Sequence, residues 1–250
     1  MAEYVSARLV LEAPGGLSAA EIRLLPAMPL HAITSVHGED GLRQRLLIEI
    51  ASLSAADRVR VDSACSLMSL SHAGDRRQRE PYACHPLRVA IRILSHYGVL
   101  DADVACAALL HDTVEDHAAD ITDAGTPQAA LAVLARMFGA RTAGLVAAVT
   151  NPAWEPGRDE HEQYREHVAA SLEACPWARV IKASDFTDNA VGLFHTTGPK
   201  LARLARKYRP LVPVLRELVL RADTPLDPDV KDKIVAQLDD AEVRFAAILR

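Results

Sequence analysis

A ten-residue stretch at 108–117, ALLHDTVEDH, constrains the fold of this chain more than any other feature. Within an alanine- and leucine-rich segment it holds four side chains that burial disfavours: His111, Asp112, Glu115 and Asp116. At 100° per residue these four fall in a sector of about 140° on a helix, with the apolar residues opposite. The stretch therefore predicts a helix, beginning at Asp101, with an apolar flank that packs and a polar flank that faces a site.

Composition and periodicity favour helices elsewhere as well. Half of the 250 residues are hydrophobic and only 4% are aromatic, so the chain can bury a sizeable core rich in alanine and leucine. From Ser54 onward, apolar residues recur at helical spacing and no alternation requires a sheet. We expect an all-α fold with helices over 54–72, 85–98, 101–117, 126–139, 140–150, 159–173, 178–194, 199–221 and 228–249.

The first part of the chain has a different pattern. We treat residues 1–55 as an N-terminal extension and residues 56–250 as the main domain. In the extension, YVSARLVLEA (4–13) alternates weakly like a strand, whereas LSAAEIRLL (17–25) and GLRQRLLIEIASL (41–53) are typical of helices. The sequence alone leaves the structure of the extension open and allows a mixed one.

The sequence indicates neither a membrane span nor a secretory signal. It has no run of about eighteen apolar residues, and its N-terminus lacks a basic segment followed by a hydrophobic one. Its four cysteines are far apart and include no CxxC pair, which favours buried, reduced thiols over a zinc knuckle. We therefore expect a cytoplasmic protein that does not engage a membrane.

Charge gives a more local signal. The formal net charge of −5 offers no general attraction for nucleic acid, so DNA is not expected as a partner. Positive charge is nevertheless dense in DRRQRE at 75–80, which contains Arg76 and Arg77. Guanidinium groups suit bidentate contacts with phosphate, so any phosphate contacts of this chain are expected to involve arginine.

The acidic and imidazole groups of 108–117 indicate a metal site. Crowded carboxylates repel each other and resist burial unless a cation neutralises them. His111 and Asp112 would supply one nitrogen and one oxygen ligand, while Glu115 and Asp116, one turn on, could orient or deprotonate a water molecule. The alternative is a solvated acidic helix end, which the flanking AALL segment disfavours.

Two ligands cannot hold a catalytic metal, so others must come from elsewhere in the chain. His85 opens a predicted helix, and Asp185 interrupts an otherwise apolar one. Each also has an ordinary interpretation as a helix cap. The residues alone leave that choice open.

Three motifs in order, EPYACHP (80–86), AALLHDTVED (107–116) and KASDFTDN (182–189), resemble those of the HD-domain hydrolases. Within these, the chain is similar to the hydrolase domain of the RelA/SpoT family and to its free-standing versions, the small alarmone hydrolases. The similarity runs from about His72 to residue 215. It implies an all-α HD-domain helical bundle with a central metal-binding helix.

The resemblance also implies roles for individual residues. It assigns a metal, usually manganese in this family although another divalent metal is possible, to His85, His111, Asp112 and Asp185. It assigns the positioning and activation of the attacking water to Glu115 and Asp116. It implies substrate contacts at Arg76, Arg77, Thr150, Asn151 and Asn189.

The implied reaction is hydrolysis of the 3′-pyrophosphate of the guanine nucleotide alarmone (p)ppGpp, which gives GDP or GTP and pyrophosphate. The metal would lower the pKa of a bound water and offset charge on the attacked phosphorus. The extension is too short for a synthetase domain and lacks the required motifs. We therefore expect a chain that hydrolyses alarmone and does not make it.

Three departures from the family pattern leave the substrate open. Gln78 stands where lysine is usual, Phe186 where arginine is usual and Asp188 where histidine is usual. Alternative substrates are tRNA 3′-pyrophosphorylated by a toxic synthetase, as for antitoxin-type relatives, and another nucleotide 3′-phosphoester such as NADPH. A non-enzymatic partner that binds a synthetase toxin is the least favoured hypothesis, because it would not need every metal ligand.

Overall fold

The computed structural model describes residues 16–77, 79–190 and 198–250. Within these ranges the chain forms thirteen α-helices and two short 3-10 helices, and the only β geometry is an isolated bridge between Arg76 and Pro81. The all-α prediction is confirmed. The weakly alternating segment at 4–13 and the departure at Gln78 lie outside the described residues.

The helices follow one another through short connections. The first six are α1 (Ala19–Leu24), α2 (Leu30–Glu49), α3 (Ala55–Ser71), α4 (Cys84–Ser95), α5 (Ala102–Leu110) and α6 (Thr113–Ile121). The other seven are α7 (Pro127–Phe138), α8 (Ala140–Val149), α9 (Glu160–Ala174), α10 (Pro176–Ala190), α11 (Pro199–Tyr208), α12 (Leu211–Leu220) and α13 (Pro228–Ile248). Side chains that accept a hydrogen bond from the first turn start five of them: Ser18, Ser54, Asp101, Thr126 and Asp159.

Helix α4 lies at the centre of the fold. Every residue from 84 to 94 is buried, and the helix packs against α2, α5 and α10. Arg92 donates to the backbone oxygen of Ser184 at 3.0 Å, and the Ser184 hydroxyl donates to the backbone oxygen of Val89 at 2.9 Å. These bonds hold α10 against α4 and bring distant parts of the chain together.

The single helix expected over 101–117 is wrong, because two helices meet there. Helix α5 ends at Leu110 and α6 begins at Thr113, with His111 and Asp112 in the turn between them. The His111 ring nitrogen Nδ1 lies 2.8 Å from the backbone oxygen of Ala108, which satisfies a carbonyl that the end of α5 leaves without a helical partner. The turn buries His111 and leaves the side chain of Asp112 22% exposed.

The single helix expected over 199–221 is also wrong. Helix α11 ends at Tyr208 and α12 begins at Leu211. Pro210 lies between them, and a proline lacks the N–H that a continuous helix needs and clashes with the preceding turn. The two resulting helices both pack against α10.

The described part of the N-terminal extension packs on the same core as the rest. Leu25, Leu30 and Ile33 are buried among the apolar side chains of the central helices. The domain boundary at residue 55 stays a prediction. None of the helices in the described ranges combines the length and apolar character needed to cross a bilayer.

Candidate metal centre

Four side chains from three parts of the chain face one another at the centre of the fold. The Nε2 atom of His85, on α4, lies 3.2 Å from Oδ1 of Asp185, on α10, and 3.7 Å from Oδ2 of Asp112. The Nε2 atom of His111 lies 3.1 Å from Oδ2 of Asp112 and 3.8 Å from Oδ1 of Asp185. Each imidazole therefore faces both carboxylates across a small shared space.

This donor set fits a divalent metal ion. Metal bonds of about 2.0–2.2 Å to nitrogen and oxygen place neighbouring ligand atoms about 3.3 Å apart, close to the separations here. The Nε2 atom of His111 is buried and has no hydrogen bond among the described residues, although Asp112 approaches it. The contact of Nδ1 with Ala108 turns this Nε2 atom toward the carboxylates, as metal-ligating histidines require. The cluster can hold a cation.

The electrostatics of the cluster favour positive charge. Burial alone would lower the pKa of His111, but the carboxylates of Asp112 and Asp185 outweigh it and raise that pKa to about 9. The imidazole of His111 in turn outweighs burial and lowers the pKa of Asp112 below its ordinary value. A divalent ion bound here would therefore displace a proton from His111, so its affinity should rise with pH.

His85 has a second carboxylate behind it. Its Nδ1 atom lies 2.8 Å from Oδ2 of Asp188, which is fully buried. Burial alone would raise the pKa of Asp188, but the guanidinium of Arg88 and the imidazole of His85 hold that pKa well below its ordinary value. An ionised carboxylate can only accept a hydrogen bond, so His85 donates from Nδ1 and directs Nε2 toward the cluster.

Asp188 is itself held by two buried arginines. Arg88 donates to it from Nε and Nη2, both at 2.9 Å, and Arg92 donates from Nη2 at 3.0 Å. Arg88 also forms a bidentate pair with Glu80, at 2.9 and 2.6 Å. The positive charges of Arg88 and Arg92 therefore compensate the buried carboxylate of Asp188, as a buried ion requires.

Asp185 is oriented by two residues of its own helix. Lys182 donates to its Oδ2 at 2.8 Å, and the amide of Asn189 donates to its Oδ1 at 2.6 Å. Burial opposes ionisation of Asp185, but Lys182 and the imidazoles of His85 and His111 keep its pKa well below the ordinary value. The carboxylate therefore faces the cluster in its charged form.

Asp112 is oriented from the opposite side by Tyr82. The Tyr82 hydroxyl donates to Oδ2 of Asp112 at 2.6 Å. Burial and the nearby Asp112 carboxylate raise the pKa of Tyr82, so the phenol keeps its proton and acts as a donor.

The two acidic residues expected to handle water lie beside the cluster on α6. Glu115 is exposed, and its carboxylate accepts hydrogen bonds from the backbone N–H of Asn151 at 3.1 Å and from its amide at 2.9 and 3.0 Å. Asp116 is also exposed. Partial desolvation by neighbouring residues and the carboxylates of Asp112 and Glu115 raise the pKa of Asp116 to about 6.

The expected substrate contacts fall in different environments. Arg77 donates to the side-chain oxygen of Asn189, and its Nη1 atom lies 3.6 Å from Oδ2 of Asp188. Its guanidinium group therefore reaches the edge of the cluster. Arg76 is exposed on the same loop. Thr150 is buried, and its hydroxyl donates to the backbone oxygen of Val146 at 2.9 Å, within its own helix.

Five polar residues around the cluster are not predicted from the sequence: Tyr82, Arg88, Arg92, Lys182 and Asp188. Tyr82, Lys182 and Asp188 lie within the quoted motifs, and Asp188 was noted only as a departure from the family pattern. A charged residue on an apolar helix indicates that some partner exists, but its identity depends on how α4 and α10 pack.

A comparison with known protein families finds a match for the part of the chain that contains His85, His111 and Asp112. The model of the family described as HD domain matches residues 64–174, which include α4, α5 and α6. Residues 64–174 are therefore similar to an HD domain. The matched range contains the histidine and aspartate pair at 111–112 that the sequence motif predicts.

Several relatives of this chain bear the name guanosine-3′,5′-bis(diphosphate) 3′-pyrophosphohydrolase. The Aquifex aeolicus protein is 35% identical over 141 residues, which cover 54% of this chain and 18% of the relative. The Danio rerio protein is 39% identical over 106 residues, or 42% of this chain and 51% of the relative. The Mus musculus protein is 36% identical over 126 residues, or 49% and 63%. The chain thus spans less than two thirds of each of these relatives.

The fold also resembles a solved structure. That structure is of a metazoan ortholog of SpoT that hydrolyzes ppGpp and plays a role in starvation responses. The match has a TM-score of 0.57 and 23% sequence identity, and it covers 76% of this chain and 96% of the other. At this identity the match shows that the two chains share a fold.

Proposed function

We propose that this protein is a metal-dependent hydrolase of the HD-domain type that removes the 3′-pyrophosphate of (p)ppGpp, giving GDP or GTP and pyrophosphate. The names of the Aquifex, Danio and Mus relatives support this substrate. The observation that carries the proposal is the shared space between two imidazoles and two carboxylates, with Glu115 and Asp116 beside it. Acids next to a metal-binding cluster suit hydrolysis of a phosphate ester.

We propose manganese as the ion, held by His85, His111, Asp112 and Asp185. Imidazole nitrogen and carboxylate oxygen are both ligands that Mn²⁺ accepts. When bound, such an ion would lower the pKa of the attacking water and offset charge on the phosphorus.

The residues of α6 would manage the proton. Asp116, with a pKa of about 6, is ionised at neutral pH yet basic enough to take a proton from the attacking water. Glu115, held by three hydrogen bonds from Asn151, would accept a hydrogen bond from the same water and fix its direction. The two acids would therefore divide the roles of base and positioning group.

The loop that carries Arg76 and Arg77, which we call the arginine loop, would bind the phosphates. Arg77 reaches the edge of the cluster through Asn189, and a substrate phosphate could replace the Asn189 oxygen as its acceptor. Arg76 is exposed on the same loop and could contact the outer phosphates. The hydroxyl and the backbone N–H of Thr150 both donate to the backbone oxygen of Val146, so of its polar groups only the carbonyl oxygen could accept a hydrogen bond from the substrate.

The test is direct turnover. Purified protein is incubated with ppGpp and MnCl₂, and GDP and pyrophosphate are measured by ion-exchange chromatography. We expect hydrolysis by the wild type and by Asp229→Asn, an exposed carboxylate variant at the start of α13, and a loss of at least 100-fold in Asp112→Asn. Equal rates in wild type and Asp112→Asn would overturn the proposal.

Parallel assays define the substrate. NADPH and 3′-pyrophosphorylated tRNA are offered in competition with ppGpp, and ATP with GDP is offered to detect synthesis, which we expect to be absent. Phe186, one of the departures that leave the substrate open, is buried and packs edge-on against Tyr208 with ring centroids 5.8 Å apart. Because Phe186 lies in the core, this departure should not change the surface that the substrate meets, so we expect ppGpp to be preferred.

We also propose a cytoplasmic location. The four cysteines, Cys65, Cys84, Cys106 and Cys175, are free thiols, and the first three are buried. Burial raises the pKa of the Cys84 thiol to about 12, so it is inert at neutral pH. Reduced cysteines are typical of proteins in reducing compartments.

A further inference from the structure

A second histidine and aspartate cluster lies on the other side of Tyr82. It consists of His72 at the end of α3, Asp75 in the loop that follows and His117 on α6, and we call it the His72 cluster. Oδ2 of Asp75 lies 2.8 Å from Nδ1 of His72 and 2.7 Å from Nε2 of His117. Two imidazoles thus converge on a single carboxylate oxygen.

The His72 cluster is separate from the candidate metal centre. The ring of His72 stacks on the ring of Tyr82, with centroids 4.5 Å apart and planes 18° apart. The hydroxyl of the same tyrosine donates to Asp112. An aromatic ring therefore lies between the two groups of ligands, so they cannot hold the closely spaced ions of a two-metal centre.

We propose that the His72 cluster is a binding site for a second divalent transition-metal ion, such as Zn²⁺, with two nitrogen ligands and one oxygen ligand. Imidazole and carboxylate are the ligands that zinc takes in proteins, and three protein ligands leave a position for water. This site goes beyond the proposed hydrolysis and does not depend on it.

The surroundings of His117 match those of a metal-ligating histidine. Its other ring nitrogen, Nδ1, lies 2.8 Å from Oδ2 of Asp120. A carboxylate behind the imidazole is the arrangement that orients histidine ligands in metal sites. The backbone of His117 departs from helical geometry, with φ −133° and ψ 29°, within α6. The chain therefore gives up regular helix geometry at the residue that faces Asp75.

His72 presents one of its two ring nitrogens to the cluster. Its Nδ1 atom faces Asp75, whereas its Nε2 atom is buried and has no hydrogen-bond partner among the described residues. Coordination by His72 would therefore go through Nδ1.

The cluster can accommodate an ion with small movements. The present separations of 2.7 and 2.8 Å are hydrogen-bond distances, whereas ligand atoms around a tetrahedral ion lie about 3.3 Å apart. The side chain of Asp75 is 38% exposed and lies on a loop. It can therefore move by the roughly 0.5 Å that separates the present distances from those around a bound ion. The same exposure provides an entry path for the ion.

An ion here would act on the arginine loop. Asp75 directly precedes Arg76 and Arg77, and its backbone oxygen accepts a hydrogen bond from the N–H of Tyr82 at 3.1 Å. His117 lies on the helix that carries Glu115 and Asp116. Coordination would therefore tie the loop to that helix and fix Arg77 relative to the two acids.

The experiment counts bound ions and does not measure turnover. The full chain is stripped with chelator, titrated with Co²⁺, and the ions bound per chain are counted by equilibrium dialysis and elemental analysis. We expect two Co²⁺ in wild type and in His96→Ala, an exposed histidine at the end of α4 that serves as control. We expect one fewer in His117→Ala and an at least tenfold weaker second ion in Asp75→Asn, which keeps the shape of the side chain.

The outcomes separate the two sites. Asp112→Asn should lose the other Co²⁺, so failure of the candidate metal centre leaves the loss in His117→Ala still measurable. Circular dichroism and thermal melts establish whether each variant is folded. If His117→Ala does not fold, the Co²⁺ affinity of Asp75→Asn is the test. If a folded His117→Ala binds as many ions as wild type, or Asp75→Asn binds them as tightly, the site does not exist.

Discussion

Asp188 accepts a hydrogen bond from Nδ1 of His85 at 2.8 Å, and both side chains are buried. The bond selects the tautomer of His85 that directs Nε2 at Asp112 and Asp185. Asp188 also accepts hydrogen bonds from Arg88 and Arg92. One buried carboxylate therefore connects the candidate metal centre to the packing of α4 against α10.

We expect Asp188→Asn to weaken both metal binding and stability. The amide cannot compensate Arg88 and Arg92, and breaking a buried ion pair costs about 3–5 kcal/mol of unfolding free energy. Loss of the carboxylate behind His85 should lower Mn²⁺ affinity about 10- to 100-fold. Urea denaturation and calorimetric Mn²⁺ titration measure the two effects.

The matched control is Asp239→Asn, which removes the carboxylate of an exposed pair with Arg216. An exposed pair contributes about 0–1 kcal/mol, so this variant should retain nearly all of its stability and all of its metal affinity. Equal losses in the two variants would contradict the role given to Asp188.

We expect Asn151→Ala to slow the proposed hydrolysis without affecting metal binding. Asn151 supplies three hydrogen bonds to Glu115, and without the two from its side chain the carboxylate can rotate away. Misplacement of a positioning group costs about 10- to 100-fold in kcat. Steady-state kinetics and Mn²⁺ titration on the same preparation distinguish slower hydrolysis from weaker metal binding. An unchanged kcat would refute this role for Asn151.

We expect Asp116 to make the metal-free protein less stable as pH rises from about 4 to 6. Its pKa is about 6 in the folded chain and about 3.9 when unfolded, so over this interval the folded state holds the extra proton. Stability from this group is complete below pH 4 and is lost as pH passes 6. Because the side chain is exposed, solvent screening limits the effect to about 1 kcal/mol or less.

Asp116→Asn removes that titration. The variant should match wild type near pH 4 and exceed it in stability at pH 7. Urea denaturation after chelator treatment provides the comparison. A difference between Asp116→Asn and wild type that does not change with pH would show that the pKa of Asp116 is not raised.

We expect opposite effects from two glycine substitutions around α8. Gly139 has φ 96° and ψ 156° between α7 and α8, a conformation that disfavours any L side chain. Gly139→Ala should therefore lower the unfolding free energy by about 1–3 kcal/mol. Gly144 lies inside α8 and has open space where an added Cβ would lie, so Gly144→Ala should raise the unfolding free energy by about 0.5–1 kcal/mol. Urea denaturation that shifts both variants in the same direction would contradict this account.

Local periodicity was sufficient for most of the fold. The helices near 85–98, 126–139, 140–150, 159–173 and 228–249 are present close to their expected bounds. Caps such as Asp101 and Asp159 are readable because they act on the next few residues. The expected helix over 101–117 was wrong because the break at His111 depends on a side chain that contacts Ala108, not on hydrophobic spacing.

The sequence by itself determined the helical class and the motif order that resembles the HD-domain hydrolases, because periodicity and motif spacing are properties of neighbouring residues. Tertiary structure alone decided which polar groups meet. His85 and Asp188 are 103 positions apart, Glu115 and Asn151 are 36 apart, and Asp75 and His117 are 42 apart. Such pairs form only when packed helices bring their side chains within bonding distance, and no local pattern encodes that distance.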